Sequence, residues 1–197
     1  MNDYQIIKFI EVTNSQKQQA VEVFLEGFRH MMTFTKDNEN LQAIFLQAFN
    51  PNYLFLYIEA NQVLGMVGIA TNKVRPIKFD KRQCQELFGK VKGSMIAGQM
   101  NAIFQSKAVE EDTDLYIDIL ATAKSARGKG VASRLVKYCL DLPGFQTCHL
   151  EVLSKNTNAK RLYEHLGFIS YKLQRVSFTR LQGWGYPIKM KKATNHR

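Results

Sequence analysis

The stretch Ala126-Arg127-Gly128-Lys129-Gly130-Val131-Ala132-Ser133 constrains this chain more than any other. It follows an apolar run, Leu115 to Thr122, that reads as a strand. It opens a second run, 130–142, whose apolar residues recur at helical spacing and which stops at Pro143-Gly144. A strand, a basic glycine-rich turn and a helix start in succession imply an α/β fold and a place to hold phosphate. Glycine lets backbone approach an anion with no Cβ in the way. The first N–H groups of a helix have no partner within it, and the helix dipole favours negative charge there. Arg127 and Lys129 add two cations. The chain contains neither G-x-x-x-x-G-K-[ST] nor G-x-G-x-x-G, so those two nucleotide-binding loops are excluded.

The rest of the chain supplies elements to match. Residues 4–12 read as a first strand. Thr13-Asn14-Ser15 offers caps for a helix over 16–32, in which Val21, Phe24, Leu25, Phe28, Met31 and Met32 recur at helical spacing. A short helix around Leu41–Phe49 stops before Pro51. Residues 53–59 and 63–70 read as two strands joined by a turn at Ala60-Asn61-Gln62, and Gly65 and Gly68 in the second suggest a bulge or a close backbone neighbour. Residues 77–107 keep helical spacing across Gly93 and Gly98 and read as one or two inserted helices. Strands over 147–153, 168–178 and 186–191 and a helix over 158–165 complete a mixed sheet of about seven strands flanked by four or more helices. At 197 residues the chain is expected to form a single domain, 1–197, with a helical insertion around 77–107.

Composition narrows the setting. Hydrophobic residues make up 45% and charged residues 22%, as in ordinary globular proteins. No apolar run reaches the ~18–20 residues that span a bilayer, and the start of the chain has no basic leader before an apolar stretch, so a cytoplasmic protein is expected. The three cysteines, Cys84, Cys139 and Cys148, sit in apolar periodic segments and read as reduced core thiols; neither they nor the four histidines have metal-site spacing. The 27 Lys and Arg against 17 Asp and Glu give a net charge of +10. These cations are spread along the chain rather than gathered in a stripe, which suits an anionic small molecule better than nucleic acid.

A second motif follows the first: Leu150-Glu151-Val152, then Asn156, Ala159, Leu162-Tyr163-Glu164 and Gly167-Phe168. With Arg127-x-x-Gly130-x-Ala132 before it, this resembles the GNAT family, the acetyl-CoA-dependent N-acetyltransferases, over roughly residues 115–168. The resemblance implies a cosubstrate, acetyl-CoA, and no metal. It implies that Arg127, Gly128, Lys129, Gly130, Val131, Ala132 and Ser133 hold the CoA phosphates. It also implies that the strand parts from its parallel neighbour near Ala121. The pantetheine arm then enters like a missing strand beside Leu120, Ala121 and Thr122, and Asn156 holds that arm. Tyr163 lies by the CoA sulfur, where a phenol, which keeps its proton at neutral pH, protonates the leaving thiolate.

The general base is open between two carboxylates and, as the resemblance also implies, a chain of water with no dedicated base. Strand alternation puts Asp118 on one face with Tyr116, Leu120 and Thr122, and Glu151 lies on the neighbouring strand. Either accepts a proton directly or through water, and either could instead be ion-paired. Direct attack of an amine in a ternary complex is expected, since no cysteine is placed for an acyl-enzyme. The alternative is a basic acyl-CoA-binding or interaction module without catalysis, against which Asn156 and Tyr163 stand. The acceptor is left open between a small amine, an amino acid and a protein amine. Its pocket is expected from residues 26–36, the 71–107 insertion and Arg180–Tyr186, where Trp184 between two glycines is a candidate pocket wall, a contact in a homodimer or simply a hairpin residue.

Overall fold

A computed structural model describes residues 3–175 and 177–195. Seven strands form one mixed sheet in the order β1-β2-β3-β4-β5-β7-β6. They are β1 (Tyr4–Lys8), β2 (Leu54–Glu59), β3 (Gln62–Ala70), β4 (Asp114–Thr122), β5 (Thr147–Leu153), β6 (Ile169–Leu173) and β7 (Pro187–Ala193). The helices are α1 (Asn14–Phe28), α2 (Asn38–Ala48), α3 (Lys81–Phe88), α4 (Lys90–Phe104), α5 (Val131–Leu140), α6 (Thr157–His165) and the single turn α7 (Phe178–Leu181). Among the described residues, no helix is long and apolar enough to cross a membrane.

Local chemistry explains most of the boundaries. Thr13 caps α1 through a capping box with Gln16, so the helix starts at the caps seen in the sequence. Asp37 caps α2 by accepting from Glu39 and Asn40. Ala60 and Asn61 both have positive φ, as a two-residue turn between twisted strands demands. Gly93 does not break α4. A Cβ there would run into the Cys84 carbonyl in the middle of α3, so its absence lets α4 pack closely against α3. The expected strand over 168–178 ends at Leu173, and α7 follows; Val176, within that expected strand, lies outside the described residues. The first strand likewise ends at Lys8, because Phe9 turns into a short 3-10 helix and buries its ring.

The two faces of the sheet carry different helices. Gly65 and Met66 are neighbours on β3 and point to opposite sides. A Cβ on Gly65 would meet Val131 and Leu135 of α5, whereas Met66 pairs with Ala121, which touches Gly27 of α1. Hence α1 covers one face and α5 the other, with α6 beside α5 against β5. All three cysteines are buried and unpaired. Burial pushes the Cys148 thiol up to about 12, so it is no nucleophile at neutral pH.

Candidate active site

The site is organised by a single irregularity in β4. Gly68 of β3 pairs with Ile119 and Ile69 pairs with Ile117, so Asp118 is an extra residue, a β-bulge. At the same point β4 leaves its parallel neighbour. Pairing with β5 runs from Asp114 with Thr147 to Ile117 with Leu150 and goes no further. From Asp118 to Thr122 the β5 side of β4 is open. The expected parting near Ala121 is present and begins three residues earlier.

The bulge corrects the face assigned to Asp118. Ile117 and Ile119 pair with adjacent residues of β3, so they lie on opposite faces, and simple alternation fails across Asp118. Thr122 pairs with Gly65 and thus faces α5, as Leu120 does. Asp118 instead joins Tyr116 on the α1 face, where Arg75 meets both. The two faces meet in one cavity of about 630 Å³ that passes through the gap. Leu120, Thr122, Ala132, Asn156, Leu162 and Tyr163 line its α5–α6 end. Phe28, Met31, Arg75, Tyr116, Asp118, Glu151 and Lys189 line its α1 end.

At the α5–α6 end the fit to a phosphate-bearing thioester is a matter of backbone. Gly128 and Gly130 have φ of +76° and +80°, and Gly130 starts α5 with no side-chain cap. The first N–H groups of the helix are therefore left for a ligand. They open on a concavity lined by Arg127, Gly128, Gly130, Val131, Ala132 and Ser133 together with Thr122. The Lys129 side chain is exposed and lines neither concavity. The Ala123 N–H is spent on the Leu64 carbonyl at 3.0 Å. Alternation along the strand then turns the backbone of Thr122 and Leu120 into the gap and that of Ala121 away from it. Asn156 caps α6 by accepting from the Ala159 N–H at 3.2 Å while lining the cavity. Tyr163 is buried against Phe168, and burial holds its phenol well above the usual tyrosine range.

The α1 end is built from side chains. Arg75 donates from Nε and Nη2 to the two carboxylate oxygens of Asp118, at 3.0 and 2.8 Å. Its Nη1 donates to the Ser106 carbonyl, and its guanidinium stands 5.9 Å from the centre of the Tyr116 ring. Burial raises the Asp118 pKa while Arg75 draws it down. Glu151 accepts no hydrogen bond from a described residue. Burial raises its pKa, with Lys189, its cross-strand partner on β7, opposing that rise. The structure thus brings Asp118, Glu151 and Tyr163 to one cavity, and both carboxylates to one face.

Four positioning residues escaped the sequence. Arg75 lies in an unremarkable loop and finds Asp118 only through the bulge. Glu26 of α1 accepts from the Lys124 N–H at 2.6 Å and ties the turn after β4 to α1. Arg134 donates to the Lys129 carbonyl at 2.9 Å and lies over Tyr4, which stacks on Tyr57, fastening the glycine turn to β1 and β2. Arg29 donates to Asn38 and to the carbonyls of Met32 and Lys36, which shapes the α1–α2 connection. That connection carries His30, whose ring meets Trp184 edge-on at 5.7 Å. Trp184 therefore joins the two loops flanking the α1 end. The three arginines act on the Asp118 carboxylate, the Asn38 side chain, backbone carbonyls and aromatic rings, contacts with no sequence signature.

Known proteins share this fold. The chain is 37% identical over 78 residues to N-alpha-acetyltransferase 30 of Schizosaccharomyces pombe; the match takes in 37% of this chain and about half (52%) of that protein. The fold is shared with an N-acetyltransferase from Staphylococcus aureus Mu50 (TM-score 0.64, 16% identity, 95% of this chain and 100% of the other). It is shared with Ard1 from Thermoplasma volcanium (TM-score 0.56, 14% identity, 97% of each chain). It is also shared with a chain of the NatC complex bound to Gag peptide and CoA (TM-score 0.58, 15% identity, 98% of this chain and 99% of the other). The model of the acetyltransferase (GNAT) family matches residues 18–168, and the chain belongs to that family.

Proposed function

We propose that this enzyme transfers the acetyl group of acetyl-CoA to an amine by direct attack, at the gap between β4 and β5. The observation that carries the reading is the cavity through that gap, with an uncapped helix start at one end and two carboxylates at the other. Acetyl-CoA supplies the acetyl group as a thioester. The backbone of Val131 to Ser133, with Arg127, holds the phosphates. Backbone groups of Leu120 and Thr122 bind the pantetheine arm as a strand would, and an N–H there stabilises negative charge on the carbonyl oxygen. Glu151 takes the proton from the acceptor amine, directly or through water. It has this role rather than Asp118 because both Asp118 oxygens are occupied by Arg75. Tyr163, kept protonated by burial, donates to the departing sulfur.

The names of the relatives make the α-amino terminus of a polypeptide the first acceptor to test. The test is a calorimetric titration with CoA and acetyl-CoA followed by thiol release across small amines and short peptides. Binding with amine-dependent thiol release supports the reading. A protein that neither ligand stabilises refutes it, since any ligand of the folded state must stabilise that state.

A further inference from the structure

The acceptor end of the cavity is charge-compensated, and its chemistry bears on what the amine carries. Among the described residues, five charged side chains line the cavity: Arg75, Lys107, Lys189, Asp118 and Glu151. Asp118 is held by Arg75, Glu151 faces its cross-strand partner Lys189, and Lys107 is paired with Glu110. The remaining wall is mainly apolar, with Phe28, Met31 and Met32 from the end of α1 and Ile103 and Phe104 from the end of α4, while Ser106, Tyr116, Gln174 and Thr179 add polar groups. Arg75 ties these walls together. It comes from the loop after β3, reaches Asp118 on β4, and holds the Ser106 carbonyl two residues beyond Phe104.

We propose that the Arg75–Asp118 pair is a specificity device: by cancelling its own charge inside an apolar-walled pocket, it selects acceptors with one ammonium group and an apolar substituent. This deepens the transferase reading and rests on it. A second ammonium on the acceptor meets no unbalanced carboxylate, because the charge of Asp118 is already matched by Arg75 and Glu151 faces the reacting amine. A carboxylate on the acceptor meets no unbalanced cation, because Arg75 is already matched by Asp118 and Lys189 by Glu151. Burying either charge unpaired costs far more than burying a hydrocarbon end. The class includes small apolar amines and polypeptide N-termini whose first side chain is apolar.

The test uses three amines of one length and different ends: hexylamine, hexane-1,6-diamine and 6-aminohexanoate. Short peptides beginning with Leu, Lys or Glu repeat the comparison on a polypeptide and tell the two acceptor sources apart. The wild-type enzyme should favour the apolar member by about tenfold in kcat/KM. Arg75→Met frees the Asp118 carboxylate and should shift the ratio toward the diamine by about tenfold. Asp118→Asn frees the Arg75 guanidinium and should shift it toward 6-aminohexanoate by a similar factor. The double variant Arg75→Met/Asp118→Leu removes both charges and should return the apolar preference, which guards against a single variant that fails to fold. Unchanged ratios in single variants that bind CoA normally would overturn the proposal, as would a wild-type preference for either charged amine. Loss of all turnover in Asp118→Asn with CoA binding intact would also overturn it, by making Asp118 the base. Absence of thiol release with every amine, from wild-type protein that binds CoA, strikes the transferase reading itself and is told apart by the missing wild-type turnover.

Discussion

The two ends of the cavity are made in different ways. At the α5–α6 end the working parts are backbone: an uncapped helix start, two glycines with positive φ, and the open edge of β4. At the α1 end they are side chains, Arg75, Asp118, Glu151 and Lys189, from four separate segments. Backbone geometry is set by a few neighbouring residues and serves a cosubstrate of fixed shape. Paired side chains are set by tertiary packing, and a substitution in one resets the other. The first end should therefore fail as a unit, whereas the second should be tunable.

The largest effect is expected where backbone is irreplaceable. Gly130 has φ of +80° at the start of α5. A β-branched residue is strained there by ~1–2 kcal/mol and its side chain blocks the anion's approach. Gly130→Val should weaken CoA binding by about a hundredfold, measured by calorimetry. Affinity within a few-fold of wild type would show that the phosphates lie elsewhere.

The next effect sharpens the other end. Glu151→Gln should lower kcat by about a hundredfold, the scale of a lost general base, and leave CoA affinity within about twofold. Burial raises the Glu151 carboxyl pKa, with Lys189 pulling against it. A base must be ionised, so wild-type activity should fall as pH drops through that raised pKa, and the acid limb should lie above the ordinary carboxylate range. The limb should vanish in Glu151→Gln. If it persists, another group titrates and Glu151 is a bystander.

Tyr163 stands between the two ends. Tyr163→Phe keeps the ring packed on Phe168 and removes only the hydroxyl. A roughly tenfold loss in kcat with unchanged CoA affinity is expected of a proton donor. Equal losses in both would make Tyr163 a packing residue.

The same contrast explains what the sequence could show. The strand, turn and helix around Arg127–Ala132, and the second motif through Tyr163, were legible because each depends on residues close in the chain. The face of Asp118 was not. Alternation is a local rule, and the bulge that breaks it exists only because Ile69 and Gly68 of β3 choose Ile117 and Ile119 as partners. Arg75 was invisible for the same reason: its partner is 43 residues away. The strand expected to run on to residue 178 shows the opposite limit. Its apolar spacing continues past Leu173, and the Gln174 N–H still donates to the Pro187 carbonyl at 3.0 Å, but the chain then turns into α7.

The smallest effect decides what Asn156 is for. Its Oδ1 accepts from the Ala159 N–H, an ordinary helix cap, and its side chain also lines the cavity. A cap needs only the oxygen, whereas a hold on the pantetheine amides also needs the Nδ2 donor. Asn156→Asp keeps the first and deletes the second. It should leave thermal stability unchanged and weaken CoA binding about threefold, the scale of one neutral hydrogen bond. Asn156→Ala deletes both. It should give the same loss of affinity and also lower stability by about 1 kcal/mol, a drop of a few degrees in Tm for a chain of this size. If Asn156→Asp binds CoA as tightly as wild type, the residue is a cap alone, and the arm is held entirely by the open edge of β4. That outcome would make the cosubstrate end still more a matter of backbone.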